Sequence, residues 1–371
     1  MDKLLFDLII SQSFLIIFFI NLFLLFIAII SWKRVRMIVN YNYDSAQNIN
    51  PDQVPRLGGI CIYVSLIFFY YSSFASENIN FLIMSLLISS FPFVAVTAFE
   101  DIFHNISPAL RLLSIALGTY IMFYVYEINF PIIDIPVLGK LLEIESIRLI
   151  FYFLGVLVVT NGFNLIDGTN GLASTTSIVS IFSLFFLAYN AQDLLIASIC
   201  SLIILLIFAF SIFNFPLGKI FLGDTGAYLL GFIISILLII FFGNNPNISP
   251  WNAVLIIFYP LTEVCFSFVR KLLYEKTSPL KPDMWHLHIK LFFLMHDSGL
   301  VRNKKINNNL VLPMLALLWM SPMLLMPWVY QNTQLIWASI IVLFIVYFSY
   351  YIALPRIISQ NGLSKSTEKN I

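Results

Sequence analysis

Little charge is present in this sequence. Only 11% of its 371 residues are Asp, Glu, Lys or Arg, against 60% hydrophobic residues and a mean hydropathy of +0.92. That balance excludes an ordinary soluble domain, in which about half the residues are apolar. Cysteine is equally sparse: Cys61, Cys200 and Cys265 lie inside apolar runs without paired spacing. This excludes a disulfide framework or a zinc knuckle, and the three read as small buried hydrophobes. No small-residue cleavage site follows the first apolar run, which ends in WKRVR, so it is expected to be a retained span rather than a signal peptide. Long Pro/Gly/Ser linkers and visible internal repeats are missing too. A single polytopic domain over 1–358 is therefore expected, with a disordered tail at 359–371.

What the sequence does have is apolar length. Runs of about 17–25 residues can cross the hydrocarbon core as helices. Eleven candidates occur, at roughly 8–30, 57–75, 81–99, 112–126, 149–166, 173–189, 194–212, 226–242, 251–269, 310–330 and 335–355. The expected fold class is an all-α polytopic integral membrane protein of about eleven transmembrane helices. If the loops after odd-numbered spans face the cytoplasm, that side receives seventeen of the twenty Lys and Arg residues, and the other keeps only Lys3, Lys140 and Arg148. The positive-inside rule then puts the N-terminus outside and the C-terminus in the cytoplasm. The basic face suits phosphates and anionic headgroups. Two loops have any size: 127–148, expected outside as a hairpin, and 270–308, expected in the cytoplasm.

Polar residues gather at the cytoplasmic helix ends of this topology, in PRLGG (55–59), EDIFHNISPALR (100–111), NGFNLIDGTNGL (161–172), FNFPLGKIFLGDTG (213–226) and KPDMWHLH (281–288). A membrane-surface site built from several loops follows. In the third segment Asn161, Asn164, Asp167 and Asn170 recur every third residue, sharing one broad face of a helical or 3₁₀ turn. Such a stripe can ligate a metal through oxygen, read a base edge, or simply cap helix ends and turns. Asp224 has two readings as well. It N-caps the next helix, or, between Gly223 and Gly226, it helps hold Mg²⁺ beside a phosphate at the helix N-terminus. Glu100 and Asp101 are adjacent acids at a span end, followed by His104 and Arg111, and need solvent, a partner or a metal. His286 and His288, near Asp283, lack a third nitrogen or sulfur ligand for zinc, so phosphate or sugar contacts fit them better. Glu263 lies inside the ninth run, seven residues before Arg270 on the same side of a helix, as an ion-pair partner or a functional acid.

At these residues the sequence resembles the polyprenyl-phosphate N-acetylhexosamine-1-phosphate transferases. These integral membrane enzymes make the first lipid-linked intermediates of peptidoglycan, O-antigen, teichoic acid and N-glycan assembly. The likeness spans about residues 50–290 and keeps the order PRLGG, an acidic pair followed by a basic residue, N-x-x-N-x-x-D-G-x-x-G-L, F-L-G-D-T-G and a late H-x-H. Eleven spans are more like the O-antigen-type branch than the peptidoglycan branch. The resemblance implies that Asp224 holds Mg²⁺, with Mn²⁺ as a substitute, helped by Asn164. It implies that Phe221 stacks on uracil, that Asn170 contacts the base edge, and that Asp167 and Asn161 belong to the nucleotide pocket. Arg111 and Lys219 would meet phosphates, and His286 and His288 the pyrophosphate or sugar. Glu100 and Asp101 stand where the family usually has paired aspartates, and HLHIK where many members have a third histidine. Of the acidic pair, Asp101 is expected to orient or deprotonate the lipid phosphate, and Glu100, one methylene longer, to be its neighbour.

The implied reaction moves an N-acetylhexosamine 1-phosphate from a UDP-N-acetyl-amino sugar to undecaprenyl phosphate. It releases UMP at the cytoplasmic face of a bacterial inner membrane and initiates a lipid-linked cell-surface glycan. The expected partners are those two substrates and the lipid bilayer. Nucleic acid is not among them, and a homodimer is compatible. A transporter or flippase of lipid-linked sugars, the rival from another class, predicts polar or broken-helix sites near the bilayer midplane, whereas the motifs here lie at helix ends. A non-catalytic membrane scaffold leaves the acidic and amide clusters unexplained.

Overall fold

The computed structural model describes residues 12–39, 54–72, 76–278, 285–297, 301 and 303–360, and among these the chain is helical with no strand. In chain order the helices are α1 (Gln12–Val39), α2 (Gly58–Tyr71), α3 (Glu77–Phe103), α4 (Pro108–Val125), α5 (Pro136–Leu142), α6 (Glu145–Leu165), α7 (Leu172–Asn190) and α8 (Leu194–Asn214). They continue with α9 (Gly223–Asn244), α10 (Trp251–Ile256), α11 (Phe258–Val269), α12 (Leu287–Asp297), α13 (Lys304–Met314), α14 (Ala316–Trp319), α15 (Ser321–Val329) and α16 (Thr333–Gln360). A π-helical turn, Arg270–Glu275, prolongs α11. The expected tail at 359–371 lies outside the described residues from 361 onward, as do Lys281 and Asp283.

Among the described residues, eight helices are long and apolar enough to cross a membrane: α1, α3, α4, α6, α7, α8, α9 and α16. A ninth is reached if α13 with α14 and α15, bent by 44°, makes one span. Two of the eleven expected runs fall short of that standard. The run at 57–75 yields only the 14 residues of α2, and 251–269 is divided at Ile257 into α10 and α11. Pro260, near the start of α11, has no N–H for a continuous ladder. Ser180 Oγ donates to the Ile256 carbonyl at 3.0 Å, satisfying a group at the break. The 127–148 segment forms no hairpin. Residues 127–135 are irregular, and Pro136 opens the short α5 at its first turn, where proline presets the helical φ.

At the centre stands α9, whose residues are buried without exception from Gly223 to Phe242. It is apolar around its whole circumference, the pattern of a helix enclosed by others. Helices α2, α3, α6 and α7 pack around it. The approach of α2 depends on two glycines: a Cβ on Gly59 would overlap the backbone of Gly226, the small-residue contact by which membrane helices close together. The outer surfaces are apolar and exposed, as at Phe19, Phe23, Tyr120 and Ile345, which suits a lipid surround. Cys61 and Cys200 are buried as expected, whereas Cys265 is exposed.

Candidate functional site

Four helix ends meet at Asp224. This residue lies in the first turn of α9, and its Oδ1 accepts hydrogen bonds from Arg56 Nη2 at 2.8 Å and Asn164 Nδ2 at 3.3 Å, while Oδ2 accepts from Arg111 Nη1. Arg56 precedes α2, Asn164 is in the last turn of α6, and Arg111 is in the first turn of α4. Ser107 and Pro108 set that last position, the serine accepting from Leu110 N–H and the proline starting the helix.

Asp224 does not cap its own helix. The N-cap residue is Leu222, without a side-chain bond, and the cap is supplied from the end of α3. Asp101 Oδ1 takes the Asp224 N–H and Oδ2 takes the Thr225 N–H, both at 2.9 Å. Gly223 makes room for this with φ +75°, open to glycine at no steric cost, and a Cβ there would strike the Asp101 carboxylate. Arg56 Nε lies 3.3 Å from Asp101 Oδ1, so one guanidinium bridges both acids. The PRLGG backbone fixes that guanidinium in place. Phe221 N–H donates to Pro55 O at 2.8 Å, Gly58 N–H to Phe221 O at 3.0 Å, and Gly59 N–H to Leu222 O at 2.9 Å.

The consequence for Asp101 differs from the sequence expectation. Its side chain is wholly buried and both oxygens are engaged, so in this structure it orders a helix rather than facing a lipid phosphate. The α9 N–H groups expected to attract phosphate are the ones it occupies. Glu100 Oε2 accepts from Ile106 N–H at 2.6 Å, closing the turn after α3, where His104 has φ +52°. Burial, with the Arg56 charge adding to it, lowers the His104 imidazole to about 4.

The asparagine stripe does not keep one face, because α6 ends at Leu165 and residues 166–171 turn. Asn161 Nδ2 bonds back to Leu157 O at 2.7 Å, while Asn164 reaches Asp224. Asn170 is buried, its N–H donating to Asn308 Oδ1 at 2.7 Å and its Nδ2 to Asn309 Oδ1 at 2.9 Å. Asn214 accepts from Gly171 N–H and donates to Ile220 O, both at 2.8 Å. Asparagines of α8 and α13 thus tie the 166–171 turn to the loop that carries Phe221, which is half-buried, and Lys219, which is exposed. Asp167 accepts no hydrogen bond from any described residue. Burial pushes its carboxyl well above the usual range, against the pull of Arg56 and with Asp224 and Asp101 adding to the rise.

His286 and His288 are both buried and stack with ring centroids 5.9 Å apart. His288 seats on Gly168, where a Cβ would overlap its Nε2. Burial, with His286 adding to it, lowers the His288 imidazole to about 3. Glu263 does not pair with Arg270, which bonds Glu275 instead. Its Oε1 lies 3.1 Å from both His286 Nδ1 and Leu287 N, and its Oε2 accepts from Tyr347 Oη at 3.0 Å. The sequence reading missed the roles of Arg56, Asn308, Asn309 and Tyr347. Arg56 sat inside a motif already singled out, and the Asn307–Asn309 run was a visible signal. Tyr347 is one tyrosine among 17 and carried none.

Chemically, the arrangement offers two cations and hard oxygen donors at a helix mouth. Among the described residues no group of three His, Cys, Asp or Glu could hold a metal by itself. Asp224 and Asn164 side by side, with the unbonded Asp167 nearby, nevertheless suit a cation that takes one or two carboxylates and completes its shell with water and phosphate.

The family model of glycosyl transferase family 4 matches residues 83–242. A probable undecaprenyl-phosphate N-acetylglucosaminyl 1-phosphate transferase of Bacillus subtilis (strain 168) is 26% identical over 270 residues, covering 71% of this chain and 74% of that protein. The undecaprenyl-phosphate alpha-N-acetylglucosaminyl 1-phosphate transferase of Escherichia coli (strain K12) is 28% identical over 304 residues, 75% of each chain. Its namesake from Thermotoga maritima is 28% identical over 235 residues, 63% of this chain and 67% of that one. With its motifs assembled around Asp224 as described, the chain is similar to glycosyl transferase family 4 over residues 83–242 and to these undecaprenyl-phosphate N-acetylglucosaminyl 1-phosphate transferases over about two thirds to three quarters of their length.

Proposed function

We propose that this protein transfers an N-acetylhexosamine 1-phosphate from a UDP-sugar to undecaprenyl phosphate, yielding an undecaprenyl diphosphate sugar and UMP. The names of its bacterial relatives make UDP-N-acetylglucosamine the first donor to test. The observation that carries the reading is the convergence of Arg56, Arg111 and Asn164 on Asp224 at one end of an apolar bundle. A polyprenyl tail can remain in lipid while its phosphate meets a soluble nucleotide at that end. The charge bias of the loops supports a cytoplasmic site in a bacterial inner membrane, with the N-terminus outside. That topology counts α2, the α10–α11 pair and the bent α13–α15 segment as spans.

In the reaction a lipid phosphate oxygen attacks the sugar-linked phosphorus. A new P–O bond forms as the bond from that phosphorus to the bridging oxygen breaks, and the electron pair leaves on UMP. Such transfers depend mainly on positioning and on offsetting charge. Arg56 and Arg111, paired with Asp224 in the resting protein, would turn toward the diphosphate as it enters. Asp224 and Asn164 would hold Mg²⁺, which supplies charge neutralisation of the diphosphate. Asp101 keeps the first turn of α9, and with it Asp224, in place throughout.

A transporter's broken-helix site finds less support. The carbonyl at the Ile257 break is taken up by Ser180, and the acids and arginines gather at helix ends instead. The test is a reconstituted assay with purified protein, undecaprenyl phosphate, Mg²⁺ and a panel of UDP-sugars. Release of UMP only when both substrates are present supports the transferase. Sugar-lipid movement across vesicles without UMP release would favour the transporter.

A further inference from the structure

We propose that Glu263 is the positioning residue for His286, holding the histidine turn of the site through three hydrogen bonds drawn from two distant places in the chain. Glu263 lies on α11 and is 1% exposed. A buried carboxylate is costly unless its oxygens are bonded, and here each is. Oε1 receives the His286 ring and the Leu287 N–H at the start of α12, and Oε2 receives the Tyr347 hydroxyl from α16. A carboxylate cannot donate, so the hydrogen of the His286 bond sits on Nδ1 and the ring's orientation is fixed. With that turn pinned, His288 seats on Gly168 beside Asp167, and the H-x-H motif docks against the N-x-x-D-G motif. Tyr347 brings the last helix, outside the residues matched by the family model, into the support of the site.

The inference rests on the transferase reading. Its test compares the purified full-length protein with Glu263→Gln and Tyr347→Phe, following UMP release at varied UDP-N-acetylglucosamine and undecaprenyl phosphate. A glutamine oxygen can still accept from His286 and Leu287, and its amide can donate to the Tyr347 oxygen. The hydrogen-bond count survives, while the negative charge is lost and the Tyr347 hydroxyl proton gives up its acceptor. A residue that merely fills space would show no kinetic change. We expect kcat of Glu263→Gln to fall ~10- to 100-fold, the order known for removing the carboxylate that orients a metal-bound histidine. The KM for the UDP-sugar should stay within about two-fold, because the proposal has the oriented His286 ring contribute mainly in the transition state. Tyr347→Phe, which keeps the ring and removes one hydrogen bond, should lower the same parameter less. Unchanged kcat in Glu263→Gln overturns the proposal, as does a raised KM with unchanged kcat. If Glu263→Gln does not fold, Tyr347→Phe decides: a lower kcat at constant KM supports the proposal and an unchanged kcat overturns it. A wild type silent with every UDP-sugar would instead sink the transferase reading, and this inference with it.

Discussion

Asp101 accepts the Asp224 N–H at 2.9 Å, so one acid of the site caps the helix that presents the other. Its second oxygen takes the Thr225 N–H, and Arg56 spans the two carboxylates. From this relationship Asp101→Asn is expected to act first on stability. An asparagine offers one acceptor and one NH₂ group to two buried N–H donors, leaving one unsatisfied at a cost of ~1–3 kcal/mol. Thermal unfolding in detergent should show a lowered midpoint together with reduced turnover. A proton-transfer residue would instead lose ~10²–10⁴-fold in kcat at unchanged stability.

Arg56 is predicted to be replaceable by lysine only at a loss. A single ammonium cannot bridge two carboxylates as the guanidinium fork does. Arg56→Lys should lower kcat by roughly 10- to 100-fold, less than the ~10²–10³ for removing a charge-stabilising donor outright. Wild-type turnover in that variant would remove Arg56 from the account.

The closeness of α2 to α9 gives a steric prediction with an internal control. Gly59→Ala drives a methyl into the Gly226 backbone and should cost ~1–3 kcal/mol, as overpacking does. Gly155→Ala, on α6 with nothing within 4 Å of the added Cβ, should not destabilise. Comparing the two melting midpoints checks the α2–α9 contact directly.

His104 predicts a pH dependence. Its imidazole is lowered from 6.5 to about 4 by burial and by Arg56. A depressed folded value means that the unfolded chain takes up the proton first as pH falls. The stability contribution is therefore fully present above 6.5 and is lost as pH falls toward about 4. His104→Asn, which suits the left-handed backbone at this position, should show a flatter decline over that window in detergent melting curves. An identical decline in both proteins would assign it to other groups.

Much of the membrane architecture was legible because apolar length is a local property: eight of the expected runs became helices of spanning length. The failures have local causes too. A shortened run after PRLGG and a proline near 257 interrupt helices without lowering hydropathy, and the 127–148 loop took a proline-started helix where a hairpin had been expected. For the site, residue types at helix ends marked Asp224, Asn164 and Arg111, which do meet. What could not be read was which acid points where. Asp101 and Asp224 both sit at helix ends in sequence, and only the packing of α3 against α9 assigns the cap to one and the arginines to the other. The partners of Glu263 were not legible for a related reason: the helical spacing to Arg270 is local, whereas His286 and Tyr347 arrive from distant parts of the chain.

The most direct measurement is simultaneous quantification of UMP and undecaprenyl diphosphate sugar from UDP-N-acetylglucosamine and undecaprenyl phosphate, by wild type and Asp224→Asn, with and without Mg²⁺. The account predicts equimolar products from the wild type with Mg²⁺, and none from a folded Asp224→Asn or after chelation. UMP formed without the lipid product, or an Asp224→Asn variant that is active and merely less stable, would contradict it.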